Sequence, residues 1–340
     1  MISVLGISPT ASATRGPVRP GCEVGSCRPL QNSLQKAPHS LTRGVWAVGS
    51  LFAVSLCRGD RAAIAEGRCE RRGRKGASAC RALPDQVPPA AASRVVIKPD
   101  AEAVAFELCA EVARAAKEAV AARGAFALAI PGGSILKMLV TGSSQLEGVE
   151  WDKGVLAYVN HKCVPNDDAA ATHQKATELF LSGWPGMRVI TMGGSAEGGA
   201  EAARYEAELR ALPESTLPRS SGLPVFDLCL IGVGDDGHFG SLYPGREEIA
   251  DASGRWVLAV DMKSPPSITL SPAAMMSSKK VLVASAGVSE KYPMGKSEAM
   301  KKAIEGMEGP RAFPAQALRS TACYLLDEAA ASSLSEGYLS

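Results

Sequence analysis

The sequence predicts an α/β fold, a mostly parallel sheet with helices on both faces in a Rossmann-like three-layer arrangement, and three observations predict it. Runs such as Ala125–Ile130 and Phe226–Ile231 are continuously apolar, as in strands buried on both faces. Other segments carry apolar residues at helical spacing. The two kinds alternate from residue 94 to residue 326, the order that builds parallel strands joined by helical crossovers.

Taken in order, Arg94–Lys98 follows Pro88-Pro89 and reads as a short edge strand. Val104, Leu108, Val112, Ala115 and Ala119 share one helical face and predict an amphipathic helix over 101–123, punctuated by Gly124. Strands are expected over 125–130, 155–159, 188–191, 226–231, 280–284 and 322–326. Helices are expected around 171–182, 198–212 and 293–306. Right-handed crossovers gather the loops after the strands along one rim, where ligands bind in such sheets. No internal repeat is present.

Charge divides the chain. Residues 1–90 hold 13 Lys/Arg and 5 Asp/Glu, whereas residues 91–340 hold 24 and 30. The second part is long enough to bury one substantial core, and its scattered bases among more numerous acids argue against nucleic-acid binding. Its four cysteines, Cys109, Cys163, Cys229 and Cys323, form no paired metal-binding spacing, so no zinc site is expected; no other metal and no cofactor is expected either. Cys109 and Cys229 sit in apolar runs and read as small buried hydrophobes. Residues 1–90 are rich in Arg, Ser, Ala, Gly and Pro, the composition of a targeting leader. The apolar stretch Gly44–Cys57 is too short to span a bilayer comfortably but suits a signal-type segment. An Arg-rich segment follows it, an order that suits import into a plastid. A cytoplasmic protein with an unfolded extension is the alternative. No stable membrane insertion of the 91–340 domain is expected.

Two segments carry chemistry. In Ala129-Ile-Pro-Gly-Gly-Ser-Ile-Leu-Lys137, Gly132, Gly133 and Ser134 follow a buried strand and open a helix. Glycines let the backbone approach an anion, and a helix start offers unpaired N–H groups at the positive end of its dipole. A plain tight turn with an N-cap serine is the alternative. The second segment runs from Phe226 to Gly245 and contains Gly232-x-Gly234-x-x-Gly237. Asp235 and Asp236 occupy that turn and would repel a pyrophosphate, and Pro244-Gly245 interrupts any crossover helix, so a dinucleotide site is disfavoured. His238 and Asp236 instead fall at a strand's carboxyl end. There an imidazole can take a proton from water while a carboxylate orients it.

Segment 226–245, with its Asp-Gly-His and Ser-Leu-Tyr-Pro-Gly runs, resembles the signature of the 6-phosphogluconolactonase family. The resemblance extends over about 94–335 through Pro131-Gly-Gly-Ser134, Cys163-Val-Pro165, Ser264-Pro-Pro-Ser-Ile-Thr-Leu270, Gly287 with Lys291, and Leu326-Asp-Glu-Ala-Ala330. It implies the fold shared with glucosamine-6-phosphate deaminases and ribose-5-phosphate isomerases. It also implies hydrolysis of a phosphorylated sugar lactone. His238 would be the base, Asp236 its orienting partner, and the 132–134 turn the phosphate seat, aided by Lys162 and Lys291. Backbone N–H groups along Gly232–Gly237, Gly234 and Gly237 included, are expected to face the developing oxyanion. The Asn-Glu-Pro run of the deaminases is absent. Departures lie at Asn160-His161-Lys162, where the family has Asp-Glu-Arg, at Ser267, where it has Arg, and at Thr172-His173, where it has Asn-Tyr. Lys is a point charge where Arg is a two-pronged fork, so Lys162 keeps charge and loses geometric precision. His161 is open between ligand contact and a loop position, and His173 reads as a solvated loop residue. The expected partner is a small sugar phosphate, with the chain a monomer or weak homodimer. The alternatives are a glucosamine-6-phosphate deaminase or isomerase and a catalytically impaired sugar-phosphate binder.

Overall fold

The computed structural model describes residues 94–288 and 295–338. The expected leader over 1–90 and Lys291 lie outside the described residues, as does residue 293, where the helix over about 293–306 was expected to begin.

The strands are β1 (Arg94–Lys98), β2 (Phe126–Ile130), β3 (Gly154–Tyr158), β4 (Asn160–Lys162), β5 (Arg188–Val189), β6 (Arg219–Ser220), β7 (Leu223–Pro224), β8 (Leu228–Ile231), β9 (Val257–Val260), β10 (Ser267–Leu270), β11 (Val281–Ser285) and β12 (Ala322–Asp327). The α-helices are α1 (Ala101–Arg123), α2 (Ser134–Thr141), α3 (Thr172–Leu179), α4 (Gly198–Ala211), α5 (Pro272–Met276), α6 (Ser297–Glu305) and α7 (Glu328–Ala331).

Seven strands form one parallel sheet in the order β1-β12-β11-β8-β2-β3-β5. Successive side chains alternate between its faces. Leu128, Ile130, Leu156, Leu230 and Leu282 meet Val104, Leu108 and Val112 of α1 and Ile135 of α2 on one face. Ala127, Ala129, Cys229, Ile231 and Val283 meet Ala202 and Tyr205 of α4 and Met300 of α6 on the other. The buried stripe of α1 turns slightly from the expected one, with Ala116 taking the place of Ala115. Asp100 caps the first turn of α1, and Gly124 closes it with a left-handed residue whose N–H reaches Val120 O. Cys109 and Cys229 are buried, and desolvation pushes both thiols up to about 12.

The sequence did not reveal the antiparallel sheet β4-β10-β9. These strands are three or four residues long, too short for an alternation to stand out. In its register, Lys162 faces Ser267, His161 faces Ile268 and Asn160 faces Thr269. Two positions that depart from the family pattern are therefore cross-strand partners.

Strand order reverses between β2 and β8. From β2 the chain moves outward to β3 and β5, then returns to the far side of β2 with β8, β11 and β12. Neighbouring crossovers leave opposite faces at such a point, opening a crevice outside the carboxyl ends of the strands.

Candidate active site

The two sequence-predicted segments flank that crevice. Residues 131–134 leave β2, and residues 232–238 leave β8, its parallel neighbour. The turns are close, since a Cβ on Gly232 would lie 3.7 Å from Ile135 at the start of α2.

Gly133 has φ 76° and ψ −137°, a conformation an L side chain resists, and it delivers the chain into α2 without a side-chain cap. Gly133 and Ser134 are exposed, and Gly132 is partly so. Gly132 packs against α3, where a Cβ would stand 3.1 Å from Thr172 Oγ1. An eight-residue helix thus opens onto the crevice with its positive end uncapped by the protein.

Across the crevice, His238 Nδ1 lies 2.5 Å from Asp236 Oδ1, which also accepts the His238 backbone N–H at 3.0 Å. Partial burial would raise the Asp236 carboxyl, but the two hydrogen bonds from His238 and its charge outweigh this and hold it below the usual range. An ionised carboxylate only accepts, so Nδ1 carries the proton, and in the neutral ring Nε2 is the nitrogen left to act as an acceptor. The His238 side chain is 25 % exposed, open enough for water to reach it.

The turn is built around this ring. A Cβ on Gly234 would lie 2.2 Å from the imidazole. Gly237 has φ 82°, with the Phe313 ring 2.6 Å from where its Cβ would stand. The N–H of Gly234 donates to His238 O, and that of Gly237 donates to Gly234 O. These two donors are used within the turn, which corrects the expectation that they face substrate: the glycines shape the loop. Gly237 O accepts from Ala315 N, and the buried Lys296 ammonium donates to Val233 O at 2.6 Å. Lys296 was missed in the sequence. Its only signal was the Gly295-Lys296 pair just before an amphipathic helix, and only the fold turns it toward Val233. Tyr243 was missed as well; its ring stacks on His238 with centroids 5.0 Å apart.

Lys162 is exposed on β4, which is joined to the His238 loop through Asn160 Nδ2 donating to Ser241 Oγ at 3.2 Å. His161 is fully buried. Its Nδ1 lies 2.6 Å from Lys162 O, and its Nε2 accepts the His173 N–H at 3.2 Å. A carbonyl cannot donate, so the ring is the neutral Nδ1–H tautomer and caps the start of α3. Burial holds it below the ordinary imidazole value, outweighing the hydrogen bond to Lys162 O. His173 is likewise lowered by burial. It sits half-buried in the first turn of α3, 2.9 Å from Tyr158 Oη, which corrects its reading as a solvated loop residue. Neither histidine is a free loop group, because the helix start beneath Gly132 needs an acceptor and a packed wall.

A separate groove of about 450 Å³ lies between α1 and the start of β11. Glu111, Arg114, Asp227, Lys279 and Lys280 line it. They are paired with one another or with near neighbours, and it opens at the amino ends of the strands.

A crevice at a sheet's switch point, with an uncapped helix start on one wall and an oriented imidazole on the other, defines a class of α/β protein suited to small anionic ligands. The chain belongs to the family of glucosamine-6-phosphate isomerases/6-phosphogluconolactonase, whose model matches residues 99–326. It is 37 % identical over 175 residues to "Probable 6-phosphogluconolactonase 3, chloroplastic" of Oryza sativa subsp. indica, covering 48 % of this chain and 53 % of that protein. It is 32 % identical over 253 residues to "6-phosphogluconolactonase" of Mycobacterium bovis, covering 71 % and 98 %. The chain thus spans only about half the length of its rice relative. The 6-phosphogluconolactonase structure from Trypanosoma brucei superposes with a TM-score of 0.57 at 21 % identity, over 72 % of this chain and 99 % of that one, a likeness of fold.

Proposed function

We propose that this chain hydrolyses 6-phosphogluconolactone to 6-phosphogluconate, a step of the oxidative pentose phosphate pathway. The observation that carries the reading is the Asp236–His238 pair at the end of β8, across a switch-point crevice from the 132–134 helix start. The names of the rice and M. bovis relatives support the same substrate.

The substrate's phosphate would rest on Gly132, Gly133 and Ser134 at the start of α2, with Lys162 adding charge. His238 Nε2 takes a proton from a water molecule as its oxygen attacks the lactone carbonyl. The imidazolium, stabilised by Asp236, returns that proton to the ring oxygen as the C–O bond breaks. Proton transfer of this kind contributes roughly 10²–10⁴-fold, and holding the phosphate in place contributes a further share. Lys296 acts from below by fixing Val233, the residue before Gly234. Lys291 is retained as an anion-binding candidate from the sequence pattern alone.

Incubating the purified chain with freshly made lactone and following acid release in a pH-stat tests the reading. Release at the spontaneous rate sinks it. One observation favours a second reading, a sugar-phosphate binder with weak turnover: Ser267 faces Lys162 across β4 and β10, where the family pattern has two arginines. Tight binding of 6-phosphogluconate without hydrolysis identifies that case. Release of ammonia from glucosamine 6-phosphate would instead identify the deaminase alternative.

Residues 1–90 are proposed to be a plastid-targeting leader ahead of a 91–340 catalytic domain. Their basic, acid-poor composition supports this, as does the chloroplastic name of the rice relative. A fluorescent protein fused after residue 95 that stays diffuse in the cytosol overturns it. Among the described residues no helix is long and apolar enough to cross a membrane.

A further inference from the structure

The His238 ring has a second support besides its aspartate. Tyr243 lies against it with an interplanar angle of 30° and centroids 5.0 Å apart. On the Tyr243 ring sits the Lys263 ammonium, 4.6 Å from the ring centroid and within 3.3 Å of the hydroxyl, to which it donates. Lys263 belongs to the connection between β9 and β10 and is the only cation in residues 257–270. It forms no ion pair with any described carboxylate, and its side chain is exposed. A lysine left to solvent samples many rotamers, whereas this one has a fixed perch on an aromatic face beside the imidazole. Tyrosine supplies the hydroxyl that a phenylalanine would lack. Ser267 leaves β10 without a cation, so Lys263 is the charge this hairpin brings to the rim.

We propose that Lys263, seated on Tyr243, is the substrate-contacting cation at the acyl end of the ligand, recognising the carboxylate of a phosphorylated aldonate. This rests on the lactone-hydrolase reading. In the forward reaction, water oxygen bonds to the acyl carbon and its proton passes to His238. The electron pair of the carbonyl moves onto its oxygen, where the Lys263 ammonium faces the new negative charge without giving up a proton. The ring C–O bond then breaks, the ring oxygen takes the proton from His238, and the carboxylic acid releases its own proton to solvent. The phosphate end is left to the 132–134 turn and Lys162, so the two ends of the ligand are read by different cations.

Calorimetric binding to the full chain separates the two ends. The probes are 6-phosphogluconate and glucitol 6-phosphate, which keeps the phosphate and replaces the carboxylate with an alcohol. Lys263→Met is expected to weaken 6-phosphogluconate about tenfold while leaving glucitol 6-phosphate within about twofold, as for loss of one charged hydrogen bond. Lys263→Arg restores most of the difference, and Tyr243→Phe falls between. Equal weakening of both probes would place Lys263 at the phosphate, and no weakening of either would leave it on the surface; both results overturn the assignment. Thermal unfolding of Lys263→Met should match the parent, and the arginine variant provides the check if it does not. A parent chain that discriminates the probes through Lys263 yet fails to hydrolyse the lactone sinks the hydrolase reading and leaves this assignment standing.

Discussion

Strand β8 carries an aspartate near each end, and the two are built for opposite purposes. Asp227, just before the strand, has a side chain only 2 % exposed. It pairs with Arg123 from the end of α1, lies 2.9 Å from Lys279, and accepts the Ala127 N–H at 2.8 Å. Every direction around that carboxylate is taken. Asp236, five residues past the strand, has a side chain 48 % exposed and spends its charge on His238 alone. A saturated, buried aspartate fastens α1 to the sheet, while a half-open one with a single partner leaves the far side of that partner available for chemistry. Burial of charge therefore marks structure here, and incomplete satisfaction marks the reactive rim.

Substitutions at the two ends should separate accordingly. The largest effect is expected from His238→Asn, which should cut lactone hydrolysis by at least about 10²-fold with unchanged thermal unfolding. Turnover near the parent rate, corrected for spontaneous hydrolysis, would remove the base from the mechanism. Asp227→Ala, which strands the largely buried Arg123 guanidinium and the Ala127 N–H, is expected to cost about 3–5 kcal/mol in urea unfolding. The folded fraction should keep its kcat/KM. A loss of kcat in fully folded protein would break the contrast from the structural side. Asp236→Asn should lower the rate by about 10- to 100-fold, less than loss of the imidazole itself. Its unfolding free energy should stay within about 0.5 kcal/mol, as for an exposed position.

The smallest effect is one of pH. Burial lowers His161 and His173 below the ordinary value of 6.5, so the unfolded chain takes up protons before the folded one does. Stability is then full above about pH 6.5 and falls as the medium is acidified through that value. The slope is at most about 1.4 kcal/mol per pH unit for each histidine. His161→Asn should flatten this limb, and an unaltered limb would show that the α3 cap is not its source. Asp236 is lowered instead, so its stabilisation is lost only in a separate window, below the ordinary carboxylate value of 3.8.

Much of this was legible in order along the chain. The helix over 101–123 was marked by a repeating apolar face punctuated by Gly124, and the structure reproduces both limits. Strands β2 and β8 are unbroken apolar runs, and β11 and β12 are apolar up to a final Ser285 and Asp327, a pattern that suits a doubly covered sheet. His238 and Asp236 were visible because their partnership is local, two residues apart in a turn shaped by Gly234 and Gly237. Less legible were contacts made between distant segments. Nothing in Asn160-His161-Lys162 shows that the middle residue points inward to cap a helix twelve residues later, because a three-residue strand gives no periodicity from which to assign its faces. Tyr243, Lys263 and Lys296 come from three different connections, and the contacts of Tyr243 with Lys263 and of Lys296 with Val233 form only once the sheet has formed.

The sequence by itself determined the layers, the sheet and the local Asp–His turn, since these follow from hydrophobic period, glycine conformation and hydrogen bonds a few residues long. Tertiary structure alone decided which loops share the crevice between β2 and β8 and which aspartate is sealed and which left open. It also decided which lysine sits on the ring stacked against the imidazole and which one anchors Val233. Those outcomes depend on strand order and on the packing of segments far apart in the chain, as Arg123 and Asp227 are, and neither is written in any single stretch of the chain.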